Sequence, residues 1–178
     1  MPTLVSIDLN MENTMEYENQ CAAYPHEFLM TNLSVFHLLI PLVALSSDYI
    51  NIILAASLGG SILALLWIVK KARITCCASS KDTALIKAHW QQAWKRSKLL
   101  LIGYAISASI FLLGWFIASS QADPNMFDIL LAVFSWVAAI PLVFIVFGLF
   151  VLSTVSSARA KRGEFPKKSA LALGSKAE

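Results

Sequence analysis

Charged residues are scarce in this chain and are absent from its longest apolar stretches. Only 14% of the 178 residues are Asp, Glu, Lys or Arg, whereas 57% are hydrophobic. Residues 28–47, 50–69, 99–118 and 129–152 contain none of those four charged types. A soluble domain ordinarily carries about 25% charged residues. The composition therefore predicts an integral membrane protein.

Motifs for phosphate binding and for hydrolysis are also missing. The chain has no Gly-rich phosphate loop, no Gly-x-Ser-x-Gly elbow and no His-Glu-x-x-His pair. Ion-coupled transporters and proton relays place ionisable side chains at membrane depth, and the apolar stretches offer no carboxylate or ammonium for that purpose. We expect neither an enzyme nor a coupled transporter.

Cysteine and histidine are too few and too scattered to predict a metal or haem site. The three cysteines lack the paired spacing of a zinc site: Cys21, Cys76 and Cys77. A haem held by two histidines needs them on opposing helices, whereas His26 and His37 lie on one segment. His89 lies in a loop between two predicted spans. We therefore predict no cofactor and no metal ion.

Four segments are long enough to cross a bilayer as helices. A hydrocarbon core about 30 Å thick requires roughly 20 residues at about 1.5 Å per residue. Segments 50–69, 99–118 and 129–152 meet this requirement with few polar residues, whereas 28–47 is more polar. We expect an all-α polytopic bundle of four transmembrane helices within residues 28–152. The alternative has three spans, with 28–47 lying at the interface.

The fourteen Lys and Arg residues occupy only the loop 70–98 and the tail 153–178. Lys and Arg near a span resist translocation and stay in the cytoplasm. We therefore expect a bacterial inner-membrane protein with a flexible, cytoplasmic C-terminal tail. The acidic segment 1–27 shares that side if there are four spans and lies outside if there are three. The basic residues expected to hold the inner side are Lys70, Lys71, Arg73, Lys95, Arg96, Lys98, Arg159, Lys161 and Arg162.

The loop 70–98 contains an amphipathic pattern. Ile86, Trp90 and Trp94 recur every four residues, so they share one face of a helix, and basic residues occupy other positions. Such a helix suits the headgroup layer, where indole rings are amphipathic and anionic lipids attract ammonium groups. We predict a cytoplasmic interfacial helix; an extension of the third span is the alternative. Nucleic acid is not an expected partner, because no binding fold accompanies the basic residues.

Small residues and prolines mark positions for helix packing and for kinks. Small residues at four-residue spacing let helix backbones approach closely in lipid. They are Ala56, Gly60 and Ala64 on the second span and Gly103 with Ser107 on the third. Proline removes a backbone donor and permits a kink, as at Pro41 and Pro141.

These features favour a small non-enzymatic membrane protein that acts through helix–helix contacts. We expect an accessory subunit or partner-binding protein of a larger membrane assembly. In size and span number the chain is similar to polytopic bacteriocin immunity proteins, which implies binding of a membrane-inserting toxin; the similarity covers topology alone. The alternative is a protomer of an oligomeric channel or uncoupled transporter with a path lined by Ser57, Ser61, Ser107 and Ser109.

Overall fold

The computed structural model describes residues 4–75 and 82–166, which form helices joined by short turns. Helix α1 covers Leu4–Ser34 and continues through a π-helical turn, Val35–Leu39, into the short α2, Ile40–Ala44. Three long helices follow: α3 (Ile50–Thr75), α4 (Ala84–Ser119) and α5 (Pro124–Lys161). Cys76, Cys77 and the tail after residue 166 lie outside the described residues.

Four helical stretches are long and apolar enough to cross a membrane. They are Asn13–Ala44, Ile52–Thr75, Ala84–Ser119 and Pro124–Lys161. The prediction of an all-α membrane protein with four spanning helices is confirmed. The first stretch, which the three-span alternative placed at the interface, is helical and meets the same criterion of length and hydropathy as the others.

The first spanning stretch is irregular where its sequence predicts a kink. In the π-helical turn the Ile40 amide donates to the Val35 carbonyl, five residues earlier. Pro41 follows immediately, at the start of α2. Because proline has no amide hydrogen, it leaves a carbonyl of the preceding turn without its usual donor, and a wider turn accommodates that loss. By contrast, Pro141 lies inside α5, which continues on both sides of it.

Capping residues explain where the last two helices begin and end. The Thr83 hydroxyl accepts the Ile86 amide at the start of α4, and the Asp123 carboxylate accepts the Asn125 amide at 2.9 Å just before α5. At the end of α5, Gly163 has a φ of 72°, a left-handed conformation that glycine adopts without strain. Its amide donates to the Ala160 carbonyl at 2.9 Å, which closes the helix.

The chain divides into two compact units. Unit 1 comprises Met1–Lys95 and Phe150–Glu178, and unit 2 comprises Arg96–Leu149. In unit 1, Ala22, Ala23, Leu85 and Ala160 form a buried apolar cluster to which α1, α4 and α5 contribute. This cluster fixes the beginning of α4 and the end of α5 against α1.

Unit 2 contains most of α4 and α5. A Cβ atom added at Gly114 would overlap the Cβ and Cγ of Phe134, and one added at Gly103 would lie 2.9 Å from the Ile145 Cδ1. The two helices therefore approach each other closely at both glycines. In lipid, where no hydrophobic force draws helices together, such close contact supplies the packing energy.

Two predicted boundaries need correction. The segment predicted as a separate interfacial helix is the first part of α4, which runs without interruption from Ala84 to Ser119. No Gly or Pro occurs between residues 84 and 102 to stop the helix. Likewise α5 continues to Lys161, so the first residues of the predicted tail are helical and end at a glycine cap.

Candidate functional site

Two histidines that are far apart in the sequence meet inside unit 1. His26 Nε2 lies 3.0 Å from His89 Nδ1, and the two rings are nearly perpendicular. Both side chains are buried, with exposed fractions of 0% and 1%. The second nitrogen of His89, Nε2, lies 3.0 Å from the Glu164 carbonyl oxygen, just beyond α5. The pair therefore joins α1, α4 and the chain segment that follows α5.

The contacts of His89 fix which of its nitrogens carries hydrogen. A carbonyl oxygen only accepts, so His89 Nε2 donates to Glu164. When His89 is neutral, its Nδ1 accepts and His26 Nε2 donates. The nitrogens that face each other therefore share a single hydrogen. A hydrogen on each of them would place two donors 3.0 Å apart and would break the contact.

Glu27 continues this polar layer on the neighbouring position of α1. Its carboxylate accepts from the Lys161 ammonium at 2.7 Å and from the Ser157 hydroxyl at 3.2 Å. Both partners lie on the last turns of α5. Thus an acidic residue of the N-terminal segment neutralises one of the basic residues expected to hold the inner side.

An aromatic cluster lies beside the histidine pair. The ring centroids of Tyr24, Trp67 and Trp90 are separated by 5.7 to 6.3 Å, and the rings meet edge to face or at a tilt. Phe28 packs against Trp67 with centroids 4.5 Å apart. The cluster joins the C-terminal half of α1 to the C-terminal part of α3 and to the first turns of α4. This part of α1 therefore lies on the same side of unit 1 as the end of α3 and the beginning of α4.

Deeper in unit 1, hydroxyl and amide groups bond across helices. The Asn32 amide donates to the Ser61 hydroxyl at 3.2 Å, and both side chains are buried. The Ser57 hydroxyl donates to the Phe36 carbonyl at the π-helical turn. Inside a membrane each of these groups needs a protein partner, since hydrocarbon offers none. These polar groups therefore serve the packing of α1 against α3.

The predicted packing residues lie in both units. Gly60 contacts Phe36, since an added Cβ would lie 2.8 Å from the Phe36 Cζ, and Gly103 contacts Ile145. Ala64 and Ser107 are half-buried, whereas Ala56 is exposed. The Ser107 hydroxyl oxygen has no hydrogen-bond partner among the described residues.

The residues predicted at the membrane interface are buried or half-buried within the protein. Trp90 has an exposed fraction of 5% and packs in the aromatic cluster, and Ile86 lies against the apolar cluster of unit 1. Trp94 is half-buried. Contrary to the prediction, Trp90 does not lie on the open surface, because Tyr24 of α1 and Trp67 of α3 pack against it.

Six of the nine predicted basic residues lie at or just past helix ends. Lys70, Lys71 and Arg73 occupy the exposed end of α3. Arg159 and Arg162 both pair with Glu164, at 3.9 and 3.0 Å. Three further basic residues lie on α4, just before its apolar run: Lys95, Arg96 and Lys98.

Comparison with protein-family models, curated proteins and solved structures finds no match for this chain. In the described part of the chain, no three residues among His, Cys, Asp and Glu come together as metal ligands would. The site therefore has to be interpreted from its own geometry.

Sequence reasoning missed the histidine pair because it placed His89 in a loop. The signal that could have found it is the absence of Gly and Pro from residues 84–102, which favours one continuous helix. On such a helix His89 precedes the third predicted span by ten residues, and His26 precedes the first predicted span by two. With four spans, both histidines therefore lie on the same side of the membrane.

Proposed function

We propose that this chain is a non-enzymatic membrane subunit that binds a spanning helix of another membrane protein through α5. The supporting observation is a stripe of large exposed side chains on α5 within unit 2. We call it the α5 stripe, and it consists of Ile129, Val133, Trp136, Ile140, Val143 and Phe147.

The spacing of the α5 stripe suits a helical partner. Its members alternate steps of four and three residues, which keeps them on one face of a helix with a 3.5-residue repeat. The side chains are well exposed, reaching 77% for Trp136 and 69% for Phe147. Large side chains in this repeat fit between those of a second helix crossing at about 20°.

The hydroxyl groups required by the channel alternative are mostly bonded within the chain. Ser57 donates to the π-helical turn, Ser61 accepts from Asn32 of α1, and Ser109 donates to the Ala105 carbonyl of its own helix at 2.8 Å. A hydroxyl engaged in this way offers less to a passing ion or solute. This distribution supports a binding subunit over a pore.

We further propose that the histidine pair and the aromatic cluster lie on the cytoplasmic side of a bacterial inner membrane. The basic residues of α3 and α5 support this orientation through their effect on insertion. The acidic N-terminal segment contacts the same ends of those helices, at Glu27 with Lys161 and at Tyr24 with Trp67. In the immunity-type version of the proposal, the partner that binds α5 within the membrane is a membrane-inserting toxin.

The binding proposal is tested by site-specific photocrosslinking in intact cells. A photoreactive residue at Ile140, on the α5 stripe, should give one discrete adduct with a different membrane protein. Trp136→Ala should reduce that adduct at least tenfold, since aromatic anchors contribute about 2 kcal/mol or more to an interface. A photoreactive residue at Leu112, an exposed position of α4 outside the stripe, serves as the matched control.

Three results distinguish the alternatives. A hetero-adduct at Ile140 that Trp136→Ala removes supports the binding subunit. Adducts between copies of this chain, together with solute flux through liposomes that contain the purified protein, would establish the channel instead. Crosslinks to lipid alone at both positions would refute partner binding through α5.

Orientation has a separate test at Cys21, a half-buried residue of α1. With Cys76 and Cys77 replaced by serine, a maleimide that does not cross membranes should label Cys21 only after the inner membrane is permeabilised. Labelling in intact cells would place the N-terminal segment outside and overturn the proposed orientation.

A further inference from the structure

A cavity opens at the polar end of unit 1, between α1, α3 and α4. Its volume is about 650 Å³, within the range of about 300 to 1,000 Å³ that is typical of small-molecule sites. Its lining includes Tyr17, Glu18, Tyr24, Trp67, Lys71 and Trp90. Neither the proposed partner nor the α5 stripe involves this cavity.

One wall of the cavity is aromatic. Tyr24, Trp67 and Trp90 form it, and Tyr17 stands one residue before Glu18 on the same stretch of α1. Tyr24 and Tyr17 retain large exposed fractions, 48% and 70%. The face of an aromatic ring carries partial negative charge and attracts ammonium groups, most strongly for tryptophan.

Charges of both signs line the rest of the cavity. Glu18 supplies a carboxylate on α1, and Lys71 supplies an ammonium on α3. None of the ion pairs among the described residues involves Glu18 or Lys71. A cavity with two carboxylates, those of Glu18 and Asp82, an aromatic wall and a lysine matches a ligand that carries an ammonium and a phosphate.

The cavity lies where the hydrocarbon layer is expected to end. The apolar run of α3 stops at Val69, so Trp67 lies just inside this boundary and Lys71 just beyond it. Tyr24 is four residues before the first predicted span, which corresponds to about 6 Å along a helix. The headgroup layer on each side of a bilayer is about 5 to 8 Å thick. Lipid headgroups therefore reach this level.

We propose that this cavity binds the zwitterionic headgroup of a phospholipid, an ammonium joined to a phosphate. The ammonium lies against Trp67 and Tyr24 with Glu18 as its counter-ion, and the phosphate contacts Lys71. Acyl chains remain in the hydrocarbon beside the apolar part of α3. The site thereby distinguishes zwitterionic from purely anionic lipids, since the latter offer no cation to the aromatic wall and place their charge near Glu18.

Native mass spectrometry of the full-length protein in a maltoside detergent tests this proposal. The protein is mixed with equal amounts of phosphatidylethanolamine and phosphatidylglycerol. We expect one retained phosphatidylethanolamine per chain and a preference of at least fivefold over phosphatidylglycerol. Soluble phosphoethanolamine, added in a separate arm, should displace the lipid only at much higher concentration, because it lacks the acyl chains.

Two pairs of variants assign the binding to the cavity. Lys71→Met should lower the retained phosphatidylethanolamine about tenfold, whereas Lys70→Met, next to it but outside the cavity, should leave it unchanged. Trp67→Leu should lower it about threefold to tenfold through loss of the ring. Trp115→Leu, which removes an exposed tryptophan of α4 in unit 2, is its control.

Glu18→Gln separates a folding defect from a binding defect, because it removes a charge without changing the shape of the side chain. It should also lower the amount of retained phosphatidylethanolamine at least threefold. Equal retention of the two lipids, or retention unaffected by Lys71→Met and Glu18→Gln, would overturn the proposal. If soluble phosphoethanolamine binds as tightly as the lipid, the natural ligand is a free zwitterion and the lipid assignment is wrong.

Discussion

In unit 1 buried polar side chains bond across helices, whereas in unit 2 two glycines of α4 lie against large side chains of α5. The first kind of contact joins His26 to His89 and Asn32 to Ser61. The second kind brings Gly114 against Phe134 and Gly103 against Ile145. Serine hydroxyls of unit 2 donate to their own helix, as Ser135 does to the Leu131 carbonyl at 2.6 Å.

The difference shows two solutions to one physical problem. In hydrocarbon, helices gain nothing from mere apolar contact, so they associate through hydrogen bonds or through close packing. Hydrogen bonds specify which side chains meet, because an unpaired polar group is costly. Close packing specifies how near two backbones can come. The comparison predicts that unit 1 is sensitive to loss of polar partners and unit 2 to added volume.

The largest effect is expected at the histidine pair. His89→Ala removes the buried contact between His26 Nε2 and His89 Nδ1 and should lower the free energy of unfolding by about 2–3 kcal/mol. His26→Ala should have a similar effect. The double variant should cost less than the sum of the two by about 1 kcal/mol or more, as expected for residues in contact. Unfolding by sodium dodecyl sulfate in mixed micelles measures all three. Additive effects would show that the rings do not depend on each other.

A second effect, in unit 2, is expected from volume at Gly114. Gly114→Ala adds a Cβ that overlaps the base of the Phe134 side chain, which cannot rotate away, so the helices must separate. The cost should be about 2 kcal/mol. Gly148→Ala is the matched control, because nothing lies within 4 Å of its Cβ, and it should be neutral or stabilise by about 0.5–1 kcal/mol. Equal effects of the two variants would contradict close packing in unit 2.

A smaller effect is expected at Gly60, which sharpens the comparison inside unit 1. Its added Cβ meets the outer edge of the Phe36 ring, which can move, so Gly60→Ala should cost only about 1 kcal/mol. Phe36→Leu should relieve that cost. Gly59→Ala, at the neighbouring position where nothing lies within 4 Å, should be stabilising. A loss at Gly60 as large as that at Gly114 would mean that both units depend on close packing alone.

The smallest effect is expected for the ion pair of Glu27 with Lys161. Their side chains are 42% and 58% exposed, so water and salt weaken the attraction. Lys161→Met should lower the free energy of unfolding by about 0.5 kcal/mol. Lys95→Met, an exposed residue of α4, is the control. A loss that persists at high salt would show that Lys161 contributes by packing.

The existence of four spanning helices was predictable, because length and uninterrupted hydropathy decide it. The ends of these helices were less predictable. Helix α4 begins just after the Thr83 cap, well before its apolar run. Helix α5 continues past its apolar run and is closed by Gly163. Helical turns outside the bilayer depend on caps and on tertiary contacts, such as those of Leu85 with Ala22 and Ala23. Hydropathy carries no information about either.

The candidate site was not predictable as a unit. An added Cβ would meet Phe36 at Gly60 and Ile145 at Gly103, two of the small residues predicted as packing positions. The histidine pair joins residues 63 positions apart and depends on the rotation of α4 about its axis, which four-residue spacing alone does not fix. The same spacing predicted that Trp90 faces lipid, whereas it faces the aromatic ring of Tyr24.

The bonding partners of α1 have a consequence for biosynthesis. His26 is synthesised well before its contact His89. Glu27 is synthesised before Ser157 and Lys161, which leave the ribosome last among these residues. Until those residues are synthesised, the first helix is without these particular contacts. Maturation of the beginning of this protein is thus tied to completion of its end, and prematurely terminated chains should be recognised and degraded by membrane proteases.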